Sequence, residues 1–255
     1  MTFRHLRIAI LLFILLLVGV GGWLTKHRAT AWTQTQWLVV YPIAGDRREA
    51  TQHYIRTLSD DTYHSIETFL ETEAAQYHLP LRQPVEVHLA PEVDALPPPP
   101  PRDRQILKVM LWSLEMRYWA WKHDTFHGLA NMQMFVVYHD SKLTPELHES
   151  LGLEKGLIGV ANVFADPRMS ETNNVVIAHE FLHLVGATDK YDLATDQPIY
   201  PQGYAEPDKE PRYPQHYAAI MAGRIPLSPT NAEIPPDLGF VIIGPQTARV
   251  IGWLN

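Results

Sequence analysis

The residues best suited to chemistry lie in one stretch, His179-Glu180-Phe181-Leu182-His183-Leu184-Val185-Gly186-Ala187-Thr188-Asp189. Two histidines four residues apart on a helix stand one turn apart on the same face, so both imidazoles can reach a single ion. Neutral imidazole nitrogen suits Zn²⁺ at about 2.0–2.1 Å. Glu180 follows the first histidine, where a carboxylate can act on water at a metal rather than bind the metal itself. Gly186 is suited to end the helix, because glycine adopts the left-handed conformation without steric cost. Three residues further on, Asp189 comes within reach as a third ligand, its oxygen suited to zinc at about 2.0–2.2 Å. Three protein ligands leave one coordination position open, the mark of a catalytic rather than a structural zinc. A bare H-E-x-x-H recurs by chance in unrelated helices. Here the glycine and the aspartate add to it. So does the apolar run Asn174-Val175-Val176-Ile177-Ala178 ahead of it, which reads as a buried helix able to hold ligands rigidly.

The segment resembles the metzincin clan of zinc endopeptidases, whose long motif runs H-E-x-x-H-x-x-G-x-x-H/D. With aspartate in third place it is similar to the snapalysin-like branch. The stretch Ala218-Ala219-Ile220-Met221-Ala222-Gly223 resembles the methionine-bearing turn that lies beneath the metal in that clan; taken alone, Met221 would read as a gap-filling core methionine. Several metzincins carry a tyrosine two residues after that methionine. Gly223 stands there instead, so tyrosine help to an oxyanion has to come from Tyr217 or Tyr213, or is absent. The resemblance spans residues 155–252. It implies a zincin fold with Zn²⁺ as cofactor and His179, His183 and Asp189 as ligands. It also implies Glu180 as general base, Met221 and Gly186 as supports for the ligands, and a protein or peptide substrate.

Composition sets outer limits. A chain of 255 residues with 46% hydrophobic content can bury a sizeable core. A net charge of -7 leaves no basic footprint, so nucleic acid is not an expected partner. With no cysteine, disulfides and thiolate ligands are excluded. Residues 8–24 form an uncharged apolar run just long enough to span a membrane as a helix. Arg4 and Arg7 precede it and Lys26 and Arg28 follow. The run reads as an uncleaved signal-anchor, a transmembrane helix that tethers the catalytic part outside the cytoplasm. The alternative is a cleaved signal peptide with an A-x-A site at Ala29-Thr30-Ala31. Residues 1–31 are thus set apart from a peptidase domain at 32–255, with an upper lobe of about 32–188 and a lower lobe of about 189–255.

Several elements must position the site. Residues 37–42 read as a strand ending at Pro42, 47–78 as a helical pattern broken at Ser59-Asp60-Asp61, and 85–89 as a strand. The polyproline run 97–101 is a stiff connector. Residues 105–122 form a helix whose Trp112, Tyr118, Trp119 and Trp121 suggest core packing. Strands follow at 132–138 and 157–164. The latter, with Gly159, Val160, Ala161 and Asn162, is either a cleft-lining sheet edge able to pair with an extended peptide or a buried inner strand. Ser170 to Asn173 offer polar caps for the metal helix. After Asp189 the chain is proline-rich, and Tyr200, Tyr204, Tyr213 and Tyr217 either shape a substrate pocket or pack that loop. The fold expected is α+β: a mixed twisted sheet, an active-site helix and an irregular C-terminal lobe. The expected function is a membrane-tethered zinc endopeptidase. A zinc hydrolase on another amide or on cell-wall material would use the same ligands, and a non-catalytic zinc-stabilised scaffold is a different class.

Overall fold

The computed structural model describes residues 30–101, 105–126, 128, 130, 132–143, 150–153 and 156–254, with residues 5, 7 and 13 before them. Its centre is a five-stranded sheet formed by β1 (Gln36–Ala44), β2 (Val85–Leu89), β3 (Met132–His139), β4 (Leu151–Leu153) and β5 (Ile158–Phe164). The spatial order is β2-β1-β3-β5-β4. All pairs are parallel except β4 with β5. Parallel neighbours need crossovers; helices supply the first two, and between β3 and β5 the chain passes through β4. The first crossover holds α1 (Glu49–Ile55), a 3₁₀ turn at Asp60–Tyr63 and α2 (His64–Gln76); the second holds α3 (Ile106–Lys122). The helix α4 (Ser170–Leu184) follows β5 directly, after a short 3₁₀ turn.

The alternation of side chains along each strand explains why both faces of the sheet are covered. Leu38 and Val40 of β1 with Met134 and Val136 of β3 point to one face, where they share a core with α1, α2 and α4. Val39, Tyr41 and Ile43 with Phe135 and Val137 point to the other, against Trp112, Met116 and Ala120 of α3. Strands buried on both sides are continuously apolar, which is how β1 and β3 read. The break expected at Ser59 is present: the Ser59 N–H donates to Thr62 Oγ1 over 3.0 Å and starts the 3₁₀ turn.

Two expectations change and one open choice is decided. β1 does not end at Pro42 but runs to Ala44. Its pairing with β2 stops at Val40, while its pairing with β3 continues to Ala44. A proline is tolerated where one side of a strand is unpaired. The aromatic face of α3 is only half in the core. Trp112 is buried, its indole N–H donating to Pro98 O over 2.9 Å, and the Trp119 ring meets Phe135 edge-on at 4.8 Å. Tyr118 and Trp121 lie one turn apart on the outward face and are 62% and 74% exposed. Of the two readings open for residues 157–164, the inner strand is the one observed. β5 lies between β3 and β4, and the outer strand Leu151–Leu153 carried no distinct sequence signal.

The C-terminal part is mostly irregular, with two small sheets (β6, Ala218–Ala219, with β9, Val241–Ile242; β7, Ile225–Ser228, with β8, Asn231–Glu233) and a terminal helix α5 (Pro245–Val250). Ile220, Met221, Val241, Ile251 and Trp253 join the same core as α4. Trp32 closes the ring: its indole N–H donates to Ile251 O over 2.6 Å and its ring packs edge-on against Trp253.

The membrane-anchored, extracytoplasmic placement is corrected. Among the described residues no helix is long and apolar enough to cross a membrane. The run 8–24, on which the expectation rested, lies outside the described residues except for Phe13.

Candidate metal centre

α4 is held on several sides before any ligand is considered. Asn173 accepts the Phe164 N–H and donates to the Phe164 carbonyl, tying the first turn to the end of β5. Asn174 donates to Thr62 O and Ser65 Oγ, both at 2.8 Å, tying it to α2. Val175, Ile177, Ala178, Phe181, Leu182 and Leu184 are buried. A helix apolar on most of its surface belongs in an interior, as the sequence indicates. None of the polar residues Ser170 to Asn173 is the N-cap, which is Met169: the helix grows out of the 3₁₀ turn Pro167–Met169, which Asp166 caps by accepting the Arg168 N–H.

The helix ends in a Schellman turn. The Gly186 N–H donates to His183 O at 3.1 Å and the Ala187 N–H donates to Leu182 O at 3.0 Å. Gly186 sits at φ 99, in the region where an L side chain is strained. This turn also orients one imidazole of the H-E-x-x-H group, because the Ala187 carbonyl accepts the Nδ1–H of His183 at 2.9 Å. A second tight turn does the same for His179. The 3₁₀ turn Ile220–Ala222, closed by Gly223 at φ 68, presents Ile220 O to His179 Nδ1 at 2.9 Å. The next carbonyl, Met221 O, accepts the Lys190 N–H at 2.7 Å and so fixes the residue beside Asp189. Met221 itself is fully buried.

A carbonyl only accepts, so each Nδ1 carries its ring's proton and each Nε2 presents a lone pair. Those two nitrogens are 3.1 Å apart. Asp189 Oδ1 lies 3.1 Å from His179 Nε2 and 3.0 Å from His183 Nε2. With neutral rings, three electron-rich atoms therefore form a nearly equilateral triangle with no proton between them. That arrangement is repulsive unless a proton or a cation joins it. Its edges are close to the roughly 3.3 Å expected of a tetrahedral ion with bonds of about 2.0–2.1 Å. His179, Glu180 and His183 also form a group whose donor atoms lie within 4.8 Å of one another, able to hold a metal ion. Of the two carboxylates, Asp189 is the nearer to both nitrogens. Glu180 is buried, and its Oε2 has no hydrogen-bond partner. An orphaned buried carboxylate oxygen beside a convergent donor set calls for an ion or water.

The local charges agree. Burial pushes the His179 ring toward neutrality, but Asp189, Glu180 and the Ile220 carbonyl outweigh it and hold the ring above the ordinary histidine range. Burial pushes Glu180 above the usual carboxylate range, partly offset by the two imidazoles. Burial also acts on Asp189, yet its contacts with the two imidazoles hold it well below. The negative surroundings that favour a proton here favour a cation in the same place.

A cleft of about 260 Å³ opens beside His179, walled by Val175, Val176, Ala222 and Ile234, with Tyr191 and Arg224 also facing it. Tyr217 is elsewhere. It lines a larger groove between α2 and residues 237–242. Tyr213 is paired with Tyr204 through a 2.7 Å hydroxyl contact. Gly159 serves packing: a Cβ there would meet the Met134 Sδ and Cε atoms at 2.6 Å. Val160, Ala161 and Asn162 lie on the inner strand β5, and the Asn162 N–H donates to Ser150 Oγ at 3.0 Å. Tyr191, two residues past Asp189, had a signal in its proximity to the motif. Arg224 and Ile234 had none, because only the path of the lower loop brings them to His179.

The Schellman turn gives a direct test. Gly186→Ala should cost about 1–2 kcal/mol from the left-handed backbone alone, and should also weaken metal binding, since the same turn aims His183 and leads to Asp189. Thermal unfolding with and without added metal measures both; an unchanged melting temperature would show that the turn is not what holds the ligands.

The chain is thus a mixed α+β protein in which a buried helix presents an H-E-x-x-H group able to bind a metal ion. Compared with known protein families and with curated proteins, it matches none. The functional class rests on the site and on the elements that position it.

Proposed function

We propose that this protein is a zinc-dependent endopeptidase of the metzincin type, closest to the snapalysin-like branch. The observation that carries the reading is the triangle of His179 Nε2, His183 Nε2 and Asp189 Oδ1 with the orphaned Glu180 carboxylate oxygen beside it. His179, His183 and Asp189 are the ligands, oriented by the Ile220 and Ala187 carbonyls. Two imidazoles and one carboxylate, with no thiolate available, form a donor set that suits zinc and leaves a position open. When bound, the ion supplies Lewis acidity, polarising a carbonyl and making water more acidic. Glu180 takes a proton from the attacking water and passes it to the leaving amine. Asp189 brings a negative charge that a third histidine would not, and so moderates that acidity.

The sheet-bearing part (about 32–188) and the irregular part (about 189–255) form the two sides of the cleft. Apolar walls at Val175, Val176, Ala222 and Ile234 suit an apolar substrate side chain. The outer edge of β4 has no strand partner among the described residues, and an extended peptide can pair with such an edge through its backbone. A purely structural metal has no use for a buried carboxylate with an unpartnered oxygen, which is costly unless it works. Glu180 thus favours the enzyme over the scaffold.

Elemental analysis of the purified protein should find about one zinc per chain, and a broad peptide library should be cleaved at internal bonds. Zinc-loaded protein that cleaves no peptide would overturn the peptidase reading, and protein that binds no zinc would overturn the site itself.

A further inference from the structure

Helix α3 is apolar on both sides. Trp112, Met116 and Ala120 face the sheet, while Leu107, Met110, Leu111, Leu114, Tyr118 and Trp121 face outward, each 59–74% exposed. Lys108, Glu115, Arg117 and Lys122 lie between these two faces, and a helix with two apolar faces is normally covered on both. The outward side chains together leave on the order of 900 Å² open, against roughly 300–600 Å² for the largest patch on a typical monomer. That area is close to the roughly 800 Å² per partner that a standard stable interface buries.

We propose that this face of α3 is a two-fold homodimer interface in which the α3 helices of two copies pack antiparallel about Leu114. The order of the side chains is self-complementary in this sense alone. Two copies related by a two-fold axis at Leu114 place Leu107 opposite Trp121 and Met110 opposite Tyr118, with Leu114 meeting its own counterpart. Bulky aromatic residues at one end of the helix thus cover slimmer aliphatic ones at the other, and the Met110–Tyr118 pairing is a favourable sulfur–aromatic contact. A parallel pairing would set Trp121 against Trp121 and Leu107 against Leu107, crowded at one end and thin at the other. The stripe from Leu107 to Trp121 is about 21 Å long at 1.5 Å per residue. Closed two-fold pairing also buries the patch completely rather than propagating it into filaments. A lipid surface fits less well. Helices that lie in a bilayer interface set a strongly charged face against the apolar one, and here that opposite face is committed to the sheet. The chain's net charge of -7 also opposes an anionic membrane.

The natural chain has no cysteine, so single introduced cysteines on the full chain report the geometry without background. Under mild oxidation, Leu114→Cys should cross-link to a covalent dimer. Met110→Cys and Tyr118→Cys should each remain uncrosslinked alone and cross-link when mixed. Sedimentation equilibrium should give twice the chain mass for the natural protein and the single-chain mass for Leu114→Glu, which sets two carboxylates against each other at the axis. Circular dichroism of each variant checks that the fold is kept, and the exposed position of Leu114 makes that the expected result. The proposal is overturned if Leu114→Cys keeps its fold and does not cross-link. It is also overturned if Met110→Cys cross-links alone as readily as the mixture, which is the parallel arrangement, or if Leu114→Glu remains dimeric, which places the interface elsewhere. A monomeric natural chain whose tryptophan emission shifts to the blue on phosphatidylcholine vesicles would make α3 a lipid-docking helix instead.

Discussion

Glu180→Gln should lower peptide cleavage by at least ~10²–10⁴-fold, the range typical of losing a general acid–base group, while zinc content stays at the level of the natural protein. Glutamine keeps the length and shape of the side chain and removes only the capacity to accept a proton. None of the three nearest donor atoms is lost, since His179 Nε2, His183 Nε2 and Asp189 Oδ1 make the triangle by themselves. The fold should not suffer either. Glu180 is buried with one oxygen unpartnered, and burial disfavours its charged form, so a neutral amide is at least as comfortable there. Melting temperature should therefore stay level or rise slightly. Turnover of a cleaved library peptide, zinc content and thermal unfolding have to be measured on the same preparations. Equal cleavage by the variant and the natural protein would remove Glu180 from the mechanism. A variant that loses zinc along with activity would make Glu180 a ligand, and the assignment of Asp189 as the third donor would then fall.

The grouping of His179, Glu180 and His183 was legible in the sequence because its geometry is local. Histidines at 179 and 183 share a helix face whatever the rest of the chain does, and a glycine at 186 ends that helix in a turn whose hydrogen bonds reach back only to residues 182 and 183. The supporting carbonyl of Ile220 comes from 41 residues away, and the motif-bearing turn around Met221 marked it only through the metzincin resemblance. What stayed open or went unseen depends on contacts that no local pattern encodes. Residues 158–164 are apolar enough to be either an edge or an inner strand, and only the pairing of Leu151–Leu153 with Ile158–Val160 decides. Tyr217 and Tyr191 are alike as residues, but the path of the lower loop sends the first to the groove beside α2 and brings the second to His179. The outward turn of Tyr118 and Trp121 was hidden for the same reason: aromatic content marks a helix as apolar without saying how many of its faces the chain itself can cover.

His183→Ala should uncouple the protein's stability from metal altogether. The ring contributes one corner of the donor triangle, and its loss leaves one imidazole and one carboxylate, too few for tight binding. It also leaves the Ala187 carbonyl without its donor, a loss of about 1 kcal/mol on the usual scale for one hydrogen bond. In the natural protein, metal bound only to the folded state stabilises it by about 2.7 kcal/mol when free zinc is a hundredfold above the dissociation constant. For a domain of this size that is a rise in melting temperature of roughly 5–10 °C. The expected pattern has three parts. Zinc raises the melting temperature of the natural protein by this amount, and a chelator lowers it to a baseline. His183→Ala melts at or slightly below that baseline, by no more than the missing hydrogen bond accounts for, and responds to neither zinc nor chelator. In the metal-free natural protein two imidazole lone pairs and a carboxylate oxygen face each other at 3.0–3.1 Å, and removing one ring relieves that repulsion. The variant should therefore not fall far below the chelated natural chain. A natural protein whose melting is indifferent to zinc and chelator alike would mean that the triangle is filled by a proton rather than a metal. A His183→Ala variant that zinc still stabilises to the full extent would mean that the ion is held by other residues.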